Sequence, residues 1–343
     1  MGKIKTAWLT TNRTCNNNCE WCYAQNKFDN SIMDFEKSKR AVDLLKKNGI
    51  SKIVLIGGEP TIYSHFFDLI SYVKQKKLSL AIATNGRMFK NYEFSKKVVD
   101  LGVDSVNISL KAIDEESYKK NTRCYGLTEM LDGYKNLKRL SFNPSVSYVI
   151  VNDDILELRA LIKLLKENEI SRIFLQFVKP VVEENNLVNP NEIIKMGRFL
   201  TTIYNEMECN DIDYNVEVSF PLCLIEKDIL LKLIAENRIR TGCHIQNGSG
   251  IVFDTEFKVL PCNHFANYPF DNSSIDLLDN NSINKLWNSD EVKIFRKRAQ
   301  CYPSKQCIEC ELWNKCGGGC FTRWLFTDLS EVLKQSNLKR ERR

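Results

Sequence analysis

No apolar run in this 343-residue chain approaches the roughly 18–20 residues a membrane-spanning helix needs. The opening residues also lack the apolar stretch of a secretory signal, so a cytoplasmic protein is expected. Internal repeats and low-complexity blocks are missing, which excludes repeat arrays. Charge of one sign is scarce: 49 Lys and Arg against 43 Asp and Glu leave +6. That surplus is too small to predict a basic nucleic-acid face, and no nucleic-acid or membrane partner is expected. A composition of 43% apolar and 27% charged residues excludes disordered, collagenous and coiled-coil chains. The length allows one large domain plus an appendage.

Cysteine is what the chain has in quantity. Thirteen occur, at 15, 19, 22, 124, 209, 223, 243, 262, 301, 307, 310, 316 and 320. In a long chain without an export signal, closely spaced thiols point to a soft metal or an iron–sulfur cluster rather than to disulfides. Ten of the thirteen fall in two groups, three near the N-terminus and seven among the eight between 223 and 320. Two or more metal sites are expected.

Between residues 4 and 180, β-rich runs alternate with helical patterns. The strands read from pattern are Ile4–Thr11, Lys52–Ile56, Leu78–Ala83, Asp104–Leu110, Ser145–Val151 and Arg172–Val178. Helical spacing appears around 34–48, 62–76, 91–101, 127–140 and 155–168. This alternation predicts an α/β fold, a partial (β/α)6 TIM-like barrel with its site at the carboxyl ends of the strands. Cys15–Cys22, Gly57-Gly58-Glu59-Pro60, Thr84-Asn85-Gly86, Ser109 with Lys111, and Asn152 each close or follow a successive strand. After Pro180 the pattern changes to helices near 191–208 and 224–236, a hairpin-like 250–261 and a helix near 282–299. The expected boundary separates a barrel, 1–212, from a small Cys-rich domain, 213–343, with a bridging segment and a C-terminal helix.

Cys15-x3-Cys19-x2-Cys22 places three thiolates in one short loop, enough for three irons of a cubic [4Fe–4S] cluster and leaving the fourth iron open. With aromatic Trp21 before the third cysteine, the motif resembles the signature of radical S-adenosylmethionine (radical SAM) enzymes. The resemblance implies that S-adenosylmethionine chelates the open iron. An electron then splits it into methionine and a 5′-deoxyadenosyl radical that abstracts hydrogen from a substrate. Gly57, Gly58, Glu59 and Pro60 match the segment whose carbonyls and acid receive the methionine ammonium. Ser109 and Arg123 match carboxylate-holding positions, Asn152 a ribose contact, and Thr84 and Asn85 a segment beside the cofactor.

Cys307-x2-Cys310-x5-Cys316-x3-Cys320 resembles the core of the SPASM extension of radical SAM enzymes, which houses auxiliary [4Fe–4S] clusters. By resemblance, one auxiliary cluster would use Cys243, Cys262 and Cys320 with Cys223 as candidate fourth ligand. The other would use Cys307, Cys310 and Cys316, with Cys301, a carboxylate such as Asp328, or an open iron completing it. A zinc ribbon is the rival for these spacings. Two departures stand out: Phe257 occupies a position that is usually glycine, and no cysteine follows Cys320.

The resemblance implies an enzyme that matures a peptide or protein by cross-linking, thioether formation, epimerisation or backbone excision. Asn263 after the Pro-Cys pair makes formylglycine formation less attractive. A separate leader-recognition protein, or recognition by the barrel and cluster domain themselves, is expected, with an electron donor of flavodoxin or ferredoxin type. The alternatives are dehydrogenation, epimerisation or decarboxylation of a sugar, aminocyclitol or other small metabolite, and a non-catalytic iron–sulfur carrier. No general acid, base or hydrogen donor is identifiable from sequence.

Overall fold

The computed structural model describes residues 4–24, 29–180, 189–271, 273–325 and 327–341, with the backbone only for 245 and 337–341. In chain order the elements begin β1 (Thr6–Thr10), α1 (Phe35–Lys47), β2 (Lys52–Ile56), α2 (Phe66–Gln75), β3 (Ser79–Thr84), α3 (Tyr92–Asp100) and β4 (Ser105–Leu110). Then come α4 (Glu115–Thr122), α5 (Leu127–Arg139), β5 (Ser145–Ile150), α6 (Ile155–Glu167), β6 (Arg172–Phe177), α7 (Pro190–Cys209) and β7 (Asp213–Glu217). The remainder is α8 (Lys227–Ala235), β8 (Ile239–Arg240), α9 (His244–Asn247), β9 (Gly250–Phe253), β10 (Val259–Leu260), α10 (Ser282–Trp287), α11 (Asp290–Ala299), α12 (Trp313–Cys316) and α13 (Leu329–Glu341).

The expected alternation is present: all six strands appear within two residues of their predicted ends. Helix α1 starts where the Asp34 carboxylate accepts the Lys37 N–H at 2.8 Å, and it buries Ala41, Val42, Leu44 and Leu45. Asp154 caps α6 in the same way and the helix buries Leu158, Leu161, Ile162 and Leu165. Helix α4 escapes pattern reading because only Tyr118 and Thr122 of its eight residues are buried. Its start is fixed by a capping box between Asp114 and Ser117. The single helix expected at 282–299 is two, α10 and α11, and the Arg296 guanidinium of α11 packs 3.8 Å from the centroid of the Trp287 ring.

The chain divides into two compact units, 1–146 with 247–297, and 147–246 with 298–343. Each is discontinuous in sequence, whereas the expected boundary at 212/213 is a single cut. In the first unit the strand order is β10-β9-β1-β2-β3-β4. The pairs β9–β1, β1–β2, β2–β3 and β3–β4 are parallel and β9–β10 is antiparallel. The hairpin predicted at 250–261 therefore extends this sheet beside β1. In the second unit the order is β5-β6-β7-β8, with parallel β6–β7 and β7–β8. Parallel neighbours send their following loops out at one edge, so the loops after β1, β2, β3 and β4 leave the first unit's sheet together.

Candidate cluster and cofactor site

The first unit assembles the site around the loop that follows β1. Thr11 N–H continues the β1–β2 ladder to the Ile56 carbonyl at 2.8 Å. Beyond it the Gly58 N–H donates to Asn12 O at 2.7 Å and the Glu59 N–H to Thr14 O at 2.9 Å. The buried Asn12 side chain closes the zipper, donating to the carbonyls of Thr14 at 2.8 Å and Glu59 at 3.1 Å. This contact explains the paired glycines. A Cβ on Gly57 would stand 2.6 Å from Asn12 O, and one on Gly58 only 2.2 Å from Thr14 O. The sequence reading gave these glycines to cofactor approach; the structure shows that they first make room for the cysteine loop.

Glu59 is 1% exposed and its carboxylate is fully engaged. Oε1 accepts from Thr61 N–H at 3.1 Å, Thr61 Oγ1 at 2.6 Å and Thr84 Oγ1 at 2.6 Å. Oε2 accepts from the Asn85 N–H at 2.7 Å. Burial pushes its carboxyl pKa up, opposed by the hydrogen bonds from Asn85, Thr61 and Thr84. Glu59, Thr84 and Asn85 are thus brought together, but as a clasp between the β2 and β3 loops. Pro60 is buried at the start of the turn that follows.

The three asparagines between Cys15 and Cys19 hold the loop from its other side. Asn16 Oδ1 accepts from Asn85 Nδ2 at 2.6 Å, and its carbonyl accepts from Arg87 Nη1 at 2.5 Å. Asn17 Oδ1 accepts from the same Arg87 nitrogen at 2.9 Å, and its amide donates to the Tyr118 hydroxyl at 2.9 Å. Asn18 and Glu20 N–H groups donate to the carbonyls of Thr122 at 2.8 Å and Asn121 at 2.9 Å, at the end of α4. Arg87 is itself held by Glu129 at 2.6 Å. Sequence reading missed Asn12, Asn16, Asn17, Arg87, Tyr118 and Glu129. Only the Asn-Asn-Asn run inside the motif signalled them.

The thiols fit a cluster. Cys15, Cys19 and Cys22 are partly buried and none of the thirteen cysteines is in a disulfide. Backbone N–H groups point at two of the sulfurs, Asn17 to Cys15 and Ala24 to Cys22, each at 3.4 Å. Burial pushes the Cys15 thiol up to about 12, the Asn17 hydrogen bond opposes this, and Glu59, Cys19 and Cys22 add to the rise. Cys22 is likewise raised by burial, while Ala24, Lys111 and Arg13 oppose. Cys15 and Cys22, each raised chiefly by burial, suit a group that takes their negative charge. Among the described residues, no three His, Cys, Asp or Glu side chains converge on a single-ion position. Cubic-cluster ligation does not ask for that convergence, because each thiolate binds its own iron.

The other expected residues are placed less uniformly. Ser109 lies on β4, on the strand face opposite buried Val106, Ile108 and Leu110. Arg123 ends α4 with left-handed φ of 61°, exposed, its guanidinium donating to Lys120 O at 3.1 Å. Asn152 belongs to the second unit, where its Oδ1 accepts from Asp154 N–H at 3.2 Å. Cys124 joins the cysteine loop, its Sγ 3.4 Å from both Asn16 O and Asn17 Oδ1. Cys262 is in the first unit, whereas Cys223, Cys243, Cys307, Cys310, Cys316 and Cys320 are in the second. Phe257, at the usual glycine position, has φ of 66° and is 2% exposed. A left-handed turn explains the glycine preference there, and burial of the Phe257 ring offsets the strain.

Comparison with known proteins agrees with this geometry. Residues 9–167 match the radical SAM superfamily model. A probable GTP 3′,8-cyclase of Pyrococcus horikoshii is 30% identical over 190 residues, 50% of this chain and 61% of that protein. An Fe-coproporphyrin III synthase of Methanosarcina barkeri is 28% identical over 199 residues, 57% of this chain and 49% of that protein. The chain thus spans about half to three fifths of the length of these relatives. Among solved structures, Streptococcus suis SuiB bound to S-adenosylmethionine aligns with a TM-score of 0.71 at 15% identity, covering 93% of this chain and 74% of SuiB. Native anSMEcpe with bound AdoMet aligns with a TM-score of 0.70 at 17% identity, covering 97% and 99%. Among the described residues no helix is long and apolar enough to cross a membrane. The family implies an enzyme that uses S-adenosylmethionine and a [4Fe–4S] cluster. The matched residues contain the cysteine loop and the clasp that holds it, so residues 9–167 of this chain are similar to the radical SAM superfamily.

Proposed function

We propose that this chain is a radical SAM enzyme that abstracts hydrogen from a peptide or protein substrate, and that its C-terminal cysteines hold one or two auxiliary [4Fe–4S] clusters in a SPASM-like domain. The observation that carries the reading is the Cys307, Cys310, Cys316 and Cys320 set on short turns of one unit, free of disulfides. It is supported by the fold, which follows SuiB bound to precursor peptide SuiA and anSMEcpe bound to the Cp18Cys peptide over 93% and 97% of this chain. Cys15, Cys19 and Cys22 would hold the [4Fe–4S] cluster, which when bound would supply the one-electron reduction of S-adenosylmethionine.

The chain's own residues supply position. Asn12, Asn17 and Arg87 fix the loop that presents the thiols. Glu59 locks the β2 and β3 loops, leaving the backbone of Gly57 and Gly58, rather than the acid, to receive the methionine ammonium. Ser109 and Arg123 receive its carboxylate, with the Arg123 side chain turning from Lys120 to do so. Thr84 and Asn85 flank the cofactor. An electron donor of flavodoxin or ferredoxin type and a separate leader-recognition protein are the proposed partners. A second reading, a nucleotide or other small-metabolite substrate, is favoured by the GTP 3′,8-cyclase relatives.

The test is anaerobic. The protein is reconstituted with iron and sulfide, reduced with dithionite and given S-adenosylmethionine, beside a Cys15→Ala/Cys19→Ala/Cys22→Ala control. 5′-Deoxyadenosine is expected only from the intact chain. Deuterium appearing in it from a labelled peptide supports the first substrate class, and from labelled GTP the second. Equal product from the triple variant overturns the site.

A further inference from the structure

The resembled cysteine pattern continues to a thiol beyond the core, and residues 321–343 contain none. The second unit supplies one from the opposite direction in sequence. Gly317, Gly318 and Gly319 run through three successive left-handed conformations, φ 55°, 75° and 82°. A Cβ on Gly319 would stand 2.7 Å from Phe220 Cα, so this turn is pressed against the segment that follows β7. Two hydrogen bonds fix the contact. Cys320 N–H donates to Ser219 O at 2.9 Å, and Leu222 N–H donates to Cys316 Sγ at 3.3 Å.

Cys223 is the next residue, at the centre of the tight turn Leu222–Leu224. Of the rival ligands, the Asp328 carboxylate accepts the Ser330 N–H at 2.8 Å at the start of α13, and Cys301 sits in the turn after α11, its N–H donating to Arg298 O at 3.2 Å.

We propose that Cys223 is the fourth thiolate of the cluster held by Cys307, Cys310 and Cys316, closing the ligand set from ahead of the motif. The inference rests on the reading of those three cysteines as cluster ligands. It reassigns Cys223 away from the set of Cys243, Cys262 and Cys320. On binding, the Cys223 thiol gives up its proton to solvent and its sulfur bonds the fourth iron. The cluster then staples the turn after β7 to the C-terminal motif.

The full chain carrying Cys15→Ala/Cys19→Ala/Cys22→Ala is reconstituted anaerobically, so that only auxiliary iron remains. Iron and sulfide per chain are counted, and electron paramagnetic resonance spectra are taken after mild oxidation with ferricyanide. Adding Cys223→Ala is expected to remove one iron per chain and produce a three-iron cluster signal. Cys223→Ser, with an oxygen ligand in place, is expected to keep the iron count and shift the spectrum. Cys209→Ala, at the exposed end of α7, is expected to change neither. If both Cys223 variants match their parent while Cys301→Ala or Asp328→Ala loses iron, the assignment is overturned. If Cys307→Ala/Cys310→Ala/Cys316→Ala loses no iron, the underlying cluster reading fails first, and the Cys223 assignment falls with it.

Discussion

The two cysteine-rich regions reach the same end by opposite means. The N-terminal loop is gripped by protein: Thr11, Asn12, Arg13 and Asn17 are buried, and its polar groups are paired with residues of β2, β3 and α4. From Cys301 to Gly317 no residue is buried, and the turns carrying Cys307, Cys310 and Cys316 rest mainly on short-range hydrogen bonds. The N-terminal loop is held by protein contacts of its own, and the C-terminal turns are the ones expected to gain order from what their thiols bind. The difference suits chemistry in which one cluster must present an open iron in fixed geometry.

The largest effect expected from breaking this contrast is at Gly58. In Gly58→Ala the new Cβ meets Thr14 O at 2.2 Å and Arg13 O at 2.6 Å, both backbone atoms that cannot step aside. Overpacking of this kind costs about 1–3 kcal/mol, enough for a roughly tenfold loss of N-terminal cluster occupancy. Iron analysis of a chain lacking its C-terminal cysteines reads it directly, and normal loading would show that the loop is not held by this contact.

Metal removal sharpens the same comparison. After anaerobic chelation, amide hydrogen exchange is expected to accelerate strongly across 305–320 and to change little across 11–18 and 57–61. Equal acceleration in both regions would mean that the N-terminal loop is no better organised than the C-terminal one.

A third prediction concerns Glu59. Gln in its place keeps one acceptor for Thr61 and Thr84 but turns an N–H₂ toward the Asn85 N–H, leaving a buried donor unpaired. The expected cost is about 1–3 kcal/mol of stability, with the affinity for S-adenosylmethionine changed much less. A Glu59→Gln protein of normal melting temperature but sharply weakened binding would restore the acid as the ammonium's receptor.

The strand–helix alternation and both cysteine groups were legible because periodicity and spacing are local properties. What held the groups was not. Glu59 reads as an acceptor for a cation, and the Gly-Gly-Glu-Pro segment says nothing of its bonds with Thr84 and Asn85, more than twenty residues on. Gly57 and Gly58 mark a close approach without saying to what. Phe257 looks like a broken pattern until its left-handed φ and its burial appear together. Cys223 lies 84 residues before Cys307 in sequence, and only the turn at Gly317–Gly319 shows which cysteines it accompanies.

The smallest expected effect is at Glu115, which belongs to the outer support of the N-terminal loop and has no counterpart in the C-terminal region. Its carboxylate accepts the N–H groups of Gly126 at 3.0 Å, Leu127 at 3.2 Å and Thr128 at 2.7 Å, plus the Thr128 hydroxyl at 2.7 Å. This fixes the start of α5 relative to α4, whose last residues carry the carbonyls that hold Asn18 and Glu20. Burial by itself would raise the carboxyl pKa, but the bonds from Thr128, Gly126 and Leu127 outweigh it and hold it at about 2. A folded-state value below the unfolded one, about 4.3 for glutamate, means that the ionised form stabilises the fold above that pH. The contribution fades as pH falls from about 4 toward 2. Solvent around this partly exposed group keeps it small. Glu115→Gln should therefore be slightly less stable than the parent at pH 7 and indistinguishable from it near pH 2, with urea midpoints as the measure. A constant difference across that range would mean that Glu115 acts through packing, and that the α4–α5 support of the cysteine loop does not depend on its charge.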